Sequence, residues 1–499
     1  MKQTPGHGHG WHLVRGACVG AALFGTIAHA LLLLGLPVWF WLLPLSGAVA
    51  CAVAIVAARR EQQIDWVAKA PRWLLRTTVL VVAVCTLSLA FGAVATQPRV
   101  WDGVVAWGIK AAAVNSAMTL EQPFFADPSV LHHSPDYPLL QPLMLGGLAP
   151  FFGASGARLL FPLLYLAMVS GIGFATMRHT RNQNIGCWIA LAVASTPFFL
   201  NTHGGGADSG YGEMFFATAL AVVAVGLLLE DALLLASAAL VLAWIKPEGA
   251  IVLPLVACTC FAFAGPRIWL SAAIAGMVSL ALWLPLQQQL GHREVGAMLP
   301  LGVVLVVVVA IAARAFLDRR GVGIRGRALV LLVFAVMAGI ALVVARPMLA
   351  TSPSPLIGQY LGRIDSVLSK LNEVPTIVFG LLEIGLFKVQ RFGLTFLLLL
   401  VAAITVCRGR RERGLAGAQG LLVLFALGML AVFAAFLLSP EQNVRHHLRS
   451  SGARLLSHWL GVAWLVIAVV WGHMQPQRVS GSRSVRPISA PPERVGYTD

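Results

Sequence analysis

Apolar blocks separated by short polar breaks run from Val14 to Trp471. A membrane-spanning helix needs about 20 mostly apolar residues. Blocks of that order recur at 13–35, 38–58, 77–95 and 157–176, then at 186–200, 212–230, 232–246, 249–264, 268–286, 297–313 and 328–345, and finally at 392–407, 416–438 and 455–472. Leu139–Phe152 is apolar but short, which is the length of an interfacial or re-entrant segment rather than a span. The pattern predicts an all-α polytopic membrane protein of about 12–14 spans, because backbone groups in hydrocarbon must bond within their own helix.

Composition agrees with the pattern. Of 499 residues, 58% are hydrophobic and 11% charged, whereas a soluble domain is roughly a quarter charged. The net charge of +16 could suggest nucleic acid, but no basic domain or base-stacking motif carries such a function. The basic residues instead sit in clusters between spans: Arg59, Arg60, Lys69, Arg72 and Arg76; Arg178 and Arg181; Arg314–Arg327; and Arg408, Arg410, Arg411 and Arg413. Cytoplasmic loops carry this bias, so both ends are expected inside the cell.

The first apolar run contains Ala28, His29 and Ala30, resembling a cleavage site. It continues through Leu31–Leu34, too long for a signal-peptide core. The seven cysteines fall within spans or at their ends, which indicates neither a disulfide scaffold nor a thiolate metal site. The expected divisions are a hairpin and basic linker (1–75), a transmembrane module with a long outer loop at 97–142 (76–345), a second outer loop with C-terminal helices (346–472), and a disordered tail rich in Pro, Ser and Arg (473–499).

This topology gathers the acids and histidines on the outer side. The Trp101–Pro142 loop holds Asp102, Glu121, Asp127, His132, His133 and Asp136. Asp102 directly follows a span; it is either a helix cap or a general base for a hydroxyl acceptor. In HHSPDYPLLQP the prolines explain a turn but not His133, Asp136 and Tyr137 within it, where they could orient a phosphate or sugar. NTHGGGADSGYGE, residues 201–213, offers Asp208 and Glu213; its glycines are weak evidence for phosphate binding without a preceding strand and a P-loop lysine. WIKPEG joins two short apolar runs through Lys246 and Glu248. Ionisable groups so near hydrocarbon are functional candidates, with a Lys–Glu pair capping two helix ends as the plainer account. Lys246 suits a lipid phosphate as a point charge.

Arg346, Arg363, Arg391, Arg445, Arg449 and Arg454 complete the outer cations. Singly they are snorkelling anchors; together they form a basin for an anionic phosphate. The outer histidines leave a divalent metal open, although no pair has helical metal-ligand spacing.

A span followed by W-D-x-x-x-x-W-x-x-K (Trp101, Asp102, Trp107, Lys110), then H-x-P-D-Y-P-L-L (from His133), then K-x-E-G (Lys246, Glu248, Gly249), resembles the bacterial GT-C glycosyltransferases, similar to protein O-mannosyltransferases and lipid A aminoarabinose transferases. The resemblance covers most of 75–470. It implies a GT-C-like bundle in the bacterial inner membrane that takes a sugar from a polyprenyl-phosphate donor at the extracytoplasmic face. The sugar passes with inversion to a glycan, lipid or protein acceptor. It also implies Asp102 as base, Asp208 as a second acid, and Lys110, His133, Asp136, Tyr137, Glu213, Lys246, Glu248, Arg363 and Arg449 around the substrate. Gly103 stands where many relatives have an acid. No cofactor is specified, and a metal-assisted mechanism stays open.

The alternative is a transporter or flippase for a lipid-linked or anionic solute. It predicts mid-span polar residues and a repeat between halves, and neither is evident.

Overall fold

The computed structural model describes residues 9–60, 66–95, 103–117, 119–121, 123–127, 137–201, 206–290, 313–314, 316–317, 319–321, 326, 370–409, 415–439, 441 and 443–475. Among these the protein is all helix, with no strand. The predicted spans 297–313 and 328–345 lie almost wholly outside the described residues, as do most of the helix expected at 357–372 and nearly all of the tail.

The long helices are α1 (His9–Leu33), α2 (Leu42–Arg60) and α3 (Arg72–Ala95). After a short π-helical stretch, Gly103–Gly108, come α4 (Ile109–Ala117), α5 (Leu140–Ala157) and α6 (Leu160–Thr180). Four helices follow, α7 (Gln183–Ala194), α8 (Glu213–Leu228), α9 (Ala232–Ile245) and α10 (Glu248–Phe263), the last three closely joined to one another and to α11 (Pro266–Leu290). The C-terminal part holds α12 (Val374–Leu382), α13 (Thr395–Arg408) and α14 (Ala416–Leu438), then α15 (Val444–Ser457) and α16 (Leu460–Met474), which meet at a 49° bend.

Among the described residues six helices are long and apolar enough to cross a membrane, or seven if α15 and α16 form one span. The protein is a multi-pass membrane protein. Five further apolar helices, α7–α10 and α13, are shorter, yet each falls where the apolar pattern predicts a span. Leu140–Ala157 is an 18-residue helix containing Pro150 and broken in its dihedrals at Gly153 (φ 70°). It is absent from the set long and apolar enough to cross.

The core is built on α8, α9 and α16, whose side chains are buried almost without interruption. Because α8 is buried along nearly its whole length, it sits inside the bundle rather than at a lipid face. By contrast α3 and α13 show rows of exposed Leu, Val and Phe, the composition expected against lipid. The helix α1 packs against α9 and α11 and buries Phe24, Ala28 and His29.

Two ends of the bundle are distinguishable. At one end Arg15 pairs with Asp231 at 3.3 Å, and Val67 and Gln183 exchange backbone hydrogen bonds with Arg181 and Ala68. The predicted cytoplasmic linker, the 178–181 cluster and the Glu230–Asp231 turn therefore share one end. Gly103, the 206–212 turn, Lys246 and Arg454 share the other.

Candidate functional site

Local sequence explains how each side chain is presented. Pro247 pushes the residue before it out of the helical region, and Lys246 is extended (φ −146°, ψ 151°). The α9 helix therefore stops at Ile245 and α10 restarts at Glu248. Gly249 lets the two halves approach, since a Cβ there would fall 2.1 Å from the Leu242 carbonyl. Glu213 and Glu248 each open a helix, where the positive end of the helix dipole favours a carboxylate, and Lys246 follows the negative end of α9.

These ends converge. Lys246 Nζ lies 3.1 Å from Glu213 Oε1 and 3.2 Å from Glu248 Oε1, and Arg454 Nε donates to the same Glu213 oxygen at 2.7 Å. Glu213 is 1% exposed and Lys246 4%. Two cations thus face two carboxylates, a balance that makes burial tolerable. The Arg454 guanidinium lies 4.3 Å from the centre of the Tyr211 ring. Buried His458, one turn beyond Arg454, packs on Phe216 at 4.6 Å and feels the charges of all four ionised groups.

The depth of the cluster is informative. At 1.5 Å per residue α8 and α9 are roughly 24 and 21 Å long, against about 30 Å of hydrocarbon. Measured from the Glu230–Asp231 turn, both helices reach Glu213 and Lys246 in less than a full hydrocarbon crossing. Polar backbone at that depth must be buried in protein or line a wet cavity.

The first loop adjoins this cluster. A Cβ on Gly103 would fall 2.5 Å from the Ser209 carbonyl, and one on Gly212 would meet Trp107 and Lys246 side chains at 3.1 Å each. The backbone next to Asp102 therefore rests on the turn leading to Glu213. That turn is compact: Ser209 Oγ donates to the Gly206 carbonyl at 2.7 Å, Gly210 adopts φ 80°, and Gln141 Nε2 donates to the Gly210 carbonyl at 2.9 Å. Lys110 is fully buried; it donates to the Tyr137 carbonyl at 3.2 Å, while the Trp107 and Tyr137 rings lie 5.6 Å apart.

Of the predicted site residues, Glu213, Lys246 and Glu248 are brought together, with Lys110 and Tyr137 linked to them through Trp107. Asp208 faces elsewhere: its carboxylate lies against Gly92 of α3, and Arg158 donates to its carbonyl at 3.4 Å. Arg449 is exposed on α15. Asp102, His133, Asp136 and Arg363 lie outside the described residues. Lys246, expected as a point charge for phosphate, is already flanked by two carboxylates.

His458, Gln141 and Tyr211 were not expected from sequence, and Arg454 was expected only as one of six cations. Glu213 and Arg454 are 241 positions apart, beyond local pattern. The i, i+4 spacing of Arg454 and His458, which places both on one helix face, was the one available signal. Among the described residues no group of three or more His, Cys, Asp or Glu is arranged to hold a metal ion.

No known protein family matches the chain, and no curated protein does. Among solved structures it is similar to the Archaeoglobus fulgidus oligosaccharyltransferase, crystallised in complex with zinc and sulfate, with 14% identity and a TM-score of 0.46. The match covers 78% of this chain and 48% of that one, so the chain spans about half the length of that protein. Neither the activity nor the metal of that protein transfers at this similarity.

Proposed function

We propose that this protein is a membrane glycosyltransferase. It moves a sugar from a polyprenyl-phosphate donor to an envelope acceptor on the extracytoplasmic face of the bacterial inner membrane, with inversion. The observation that carries the reading is the balanced cluster of Glu213, Lys246, Glu248 and Arg454, recessed at broken helix ends and abutted by the backbone beside Asp102. A lipid-borne substrate needs apolar walls for its tail, cations for its phosphate and a carboxylate for proton removal, and this reading assigns those parts to the apolar helices, the outer arginines and Asp102.

In the step proposed, an acceptor hydroxyl oxygen attacks the anomeric carbon and its proton passes to the Asp102 carboxylate. The bond from that carbon to the phosphate oxygen breaks, and polyprenyl phosphate leaves with the electron pair. A single base suffices for inverting transfer; hydrolysis with inversion uses a second carboxyl as acid. Because Lys246 is matched by two carboxylates, the phosphate falls to exposed cations of the outer loops, Arg449 among them.

The test is transfer of radiolabelled sugar from polyprenyl-phosphate donors in native membranes, comparing wild type with Asp102→Asn at matched expression. Removing a general base lowers the rate by roughly 10²–10⁴-fold. Full activity in the variant removes Asp102 as base and moves the role to Asp136 or Asp208.

One observation favours a second reading, a transporter of a lipid-linked solute. Broken helices ending on buried charges are a device transporters also use. The two readings part on whether a covalent bond is broken.

A further inference from the structure

The end of the bundle away from the ion cluster carries cations without partners. Lys69, Arg72, Arg76 and Arg181 are exposed, and none of them pairs with a carboxylate among the described residues. Asp231, at the same end, is already held by Arg15 and accepts from the Leu234 N–H at the start of α9.

Backbone contacts bring these cations together from distant parts of the sequence. Ala68 and Asn182 form a parallel bridge. It is flanked by hydrogen bonds from the Val67 N–H to the Arg181 carbonyl at 2.8 Å and from the Gln183 N–H to the Ala68 carbonyl at 2.9 Å. Gln183 Oε1 accepts from the Ala70 N–H at 3.2 Å, and Asn184 Nδ2 lies 3.5 Å from the Lys69 carbonyl. Paired segments run about 5 Å apart, so Lys69 and Arg181 are diagonal neighbours across the bridge, and Arg72 opens α3 beside them. One residue further on, Trp73 of α3 meets Trp188 of α7 edge to face, with ring centres 6.3 Å apart, and both rings are exposed.

An apolar track continues from this point. Leu80, Val84, Leu87 and Phe91 of α3 are exposed, and their steps of seven, four, three and four residues from Trp73 keep them on one helix face. Cations, then an aromatic pair, then an apolar stripe therefore follow one another along α3. A phospholipid presents the complementary order of phosphate, glycerol boundary and acyl chain. Trp belongs at headgroup depth, and basic sites between helices on the cytoplasmic side suit anionic headgroups.

We propose that the surface where α3 and α7 meet docks an anionic phospholipid of the cytoplasmic leaflet. Its phosphate diester lies among Lys69, Arg72 and Arg181, and an acyl chain follows the exposed face of α3. The inside bias of basic residues orients a chain but builds no site; here the bridge fixes two basic segments against each other at the foot of an apolar stripe. The proposal is independent of the glycosyl-transfer reading.

The test places the purified full chain in phosphatidylcholine vesicles that contain a minor fraction of brominated phosphatidylglycerol or of brominated phosphatidylcholine. Bromine quenches nearby tryptophan, and subtracting the signal of Trp73→Phe/Trp188→Phe isolates the exposed pair. Brominated phosphatidylglycerol is expected to quench this pair at a lower lipid fraction than brominated phosphatidylcholine. Each cation near the surface contributes roughly a fivefold preference, so Lys69→Gln/Arg72→Gln/Arg181→Gln is expected to lower the preference by at least about tenfold. Arg267→Gln/Arg319→Gln/Arg408→Gln removes equal charge at exposed positions elsewhere and is expected to preserve most of it.

Equal quenching by the two brominated lipids in wild type overturns the proposal. So does an equal loss in the two triple variants, which reduces the cations to a diffuse field. Inorganic phosphate at constant ionic strength is expected to leave the quenching unchanged; if it abolishes the preference, the ligand is free phosphate and the lipid assignment falls.

Discussion

Replacing Glu213 by glutamine keeps the shape of the side chain and deletes one of the two buried negative charges. Lys246 and Arg454 would then share Glu248, and only Lys246 touches it, at 3.2 Å. Opposite unit charges about 4 Å apart at an effective dielectric near 20 gain roughly 4 kcal/mol. Removing one member of a buried pair costs about 3–5 kcal/mol. The Arg454 side chain retains 24% exposure, so water recovers part of that loss and the lower end, about 3 kcal/mol, is expected. Equilibrium unfolding in mixed micelles, followed by circular dichroism, measures it. The double variant Glu213→Gln/Arg454→Met restores a one-to-one balance between Lys246 and Glu248 and is expected to recover at least half of the loss. A cost for Glu213→Gln below about 1 kcal/mol, or a double variant no more stable than Glu213→Gln, refutes the cluster as a coupled unit.

Further predictions follow from the packing and topology. Gly428→Ala places a Cβ 2.2 Å from the Trp459 ring, forcing α14 away from the α15–α16 junction at a cost of roughly 1–3 kcal/mol; unchanged unfolding contradicts that contact. In a cysteine-free background, Lys69→Cys and His179→Cys are expected to react with an impermeant maleimide from the same side of the membrane and Ser450→Cys from the opposite side. Labelling of all three from one side contradicts the two-ended bundle.

The helical class was legible because a bilayer imposes one rule on every span, and apolar runs reveal it residue by residue. The break at Lys246 was legible too, since a proline dictates the conformation of its predecessor whatever surrounds it. Span lengths were less so. Residues 186–200 read as one apolar block, yet the helix ends at Ala194 and restarts at Pro197, because Pro197 interrupts the hydrogen-bond ladder without lowering hydropathy. The partner of Glu213 was not legible. Arg449 and Arg454 are alike in a linear sequence; both lie on α15, five positions apart and so on different faces of it, and only the fold shows that Glu213 meets the face carrying Arg454 while Arg449 stays exposed. Acceptors short of donors, such as Glu213 Oε2, leave no trace in sequence, since they depend on how many donors the fold happens to bring.

The most direct test of glycosyl transfer uses the purified protein in proteoliposomes, supplied with a polyprenyl-phosphate sugar labelled in both the sugar and the phosphate. Glycosyl transfer predicts that sugar label moves covalently to acceptor while an equal amount of polyprenyl phosphate is freed, and that Asp102→Asn stops both. Appearance of intact, doubly labelled donor on the far side of the bilayer, with no free polyprenyl phosphate, would contradict it in favour of transport.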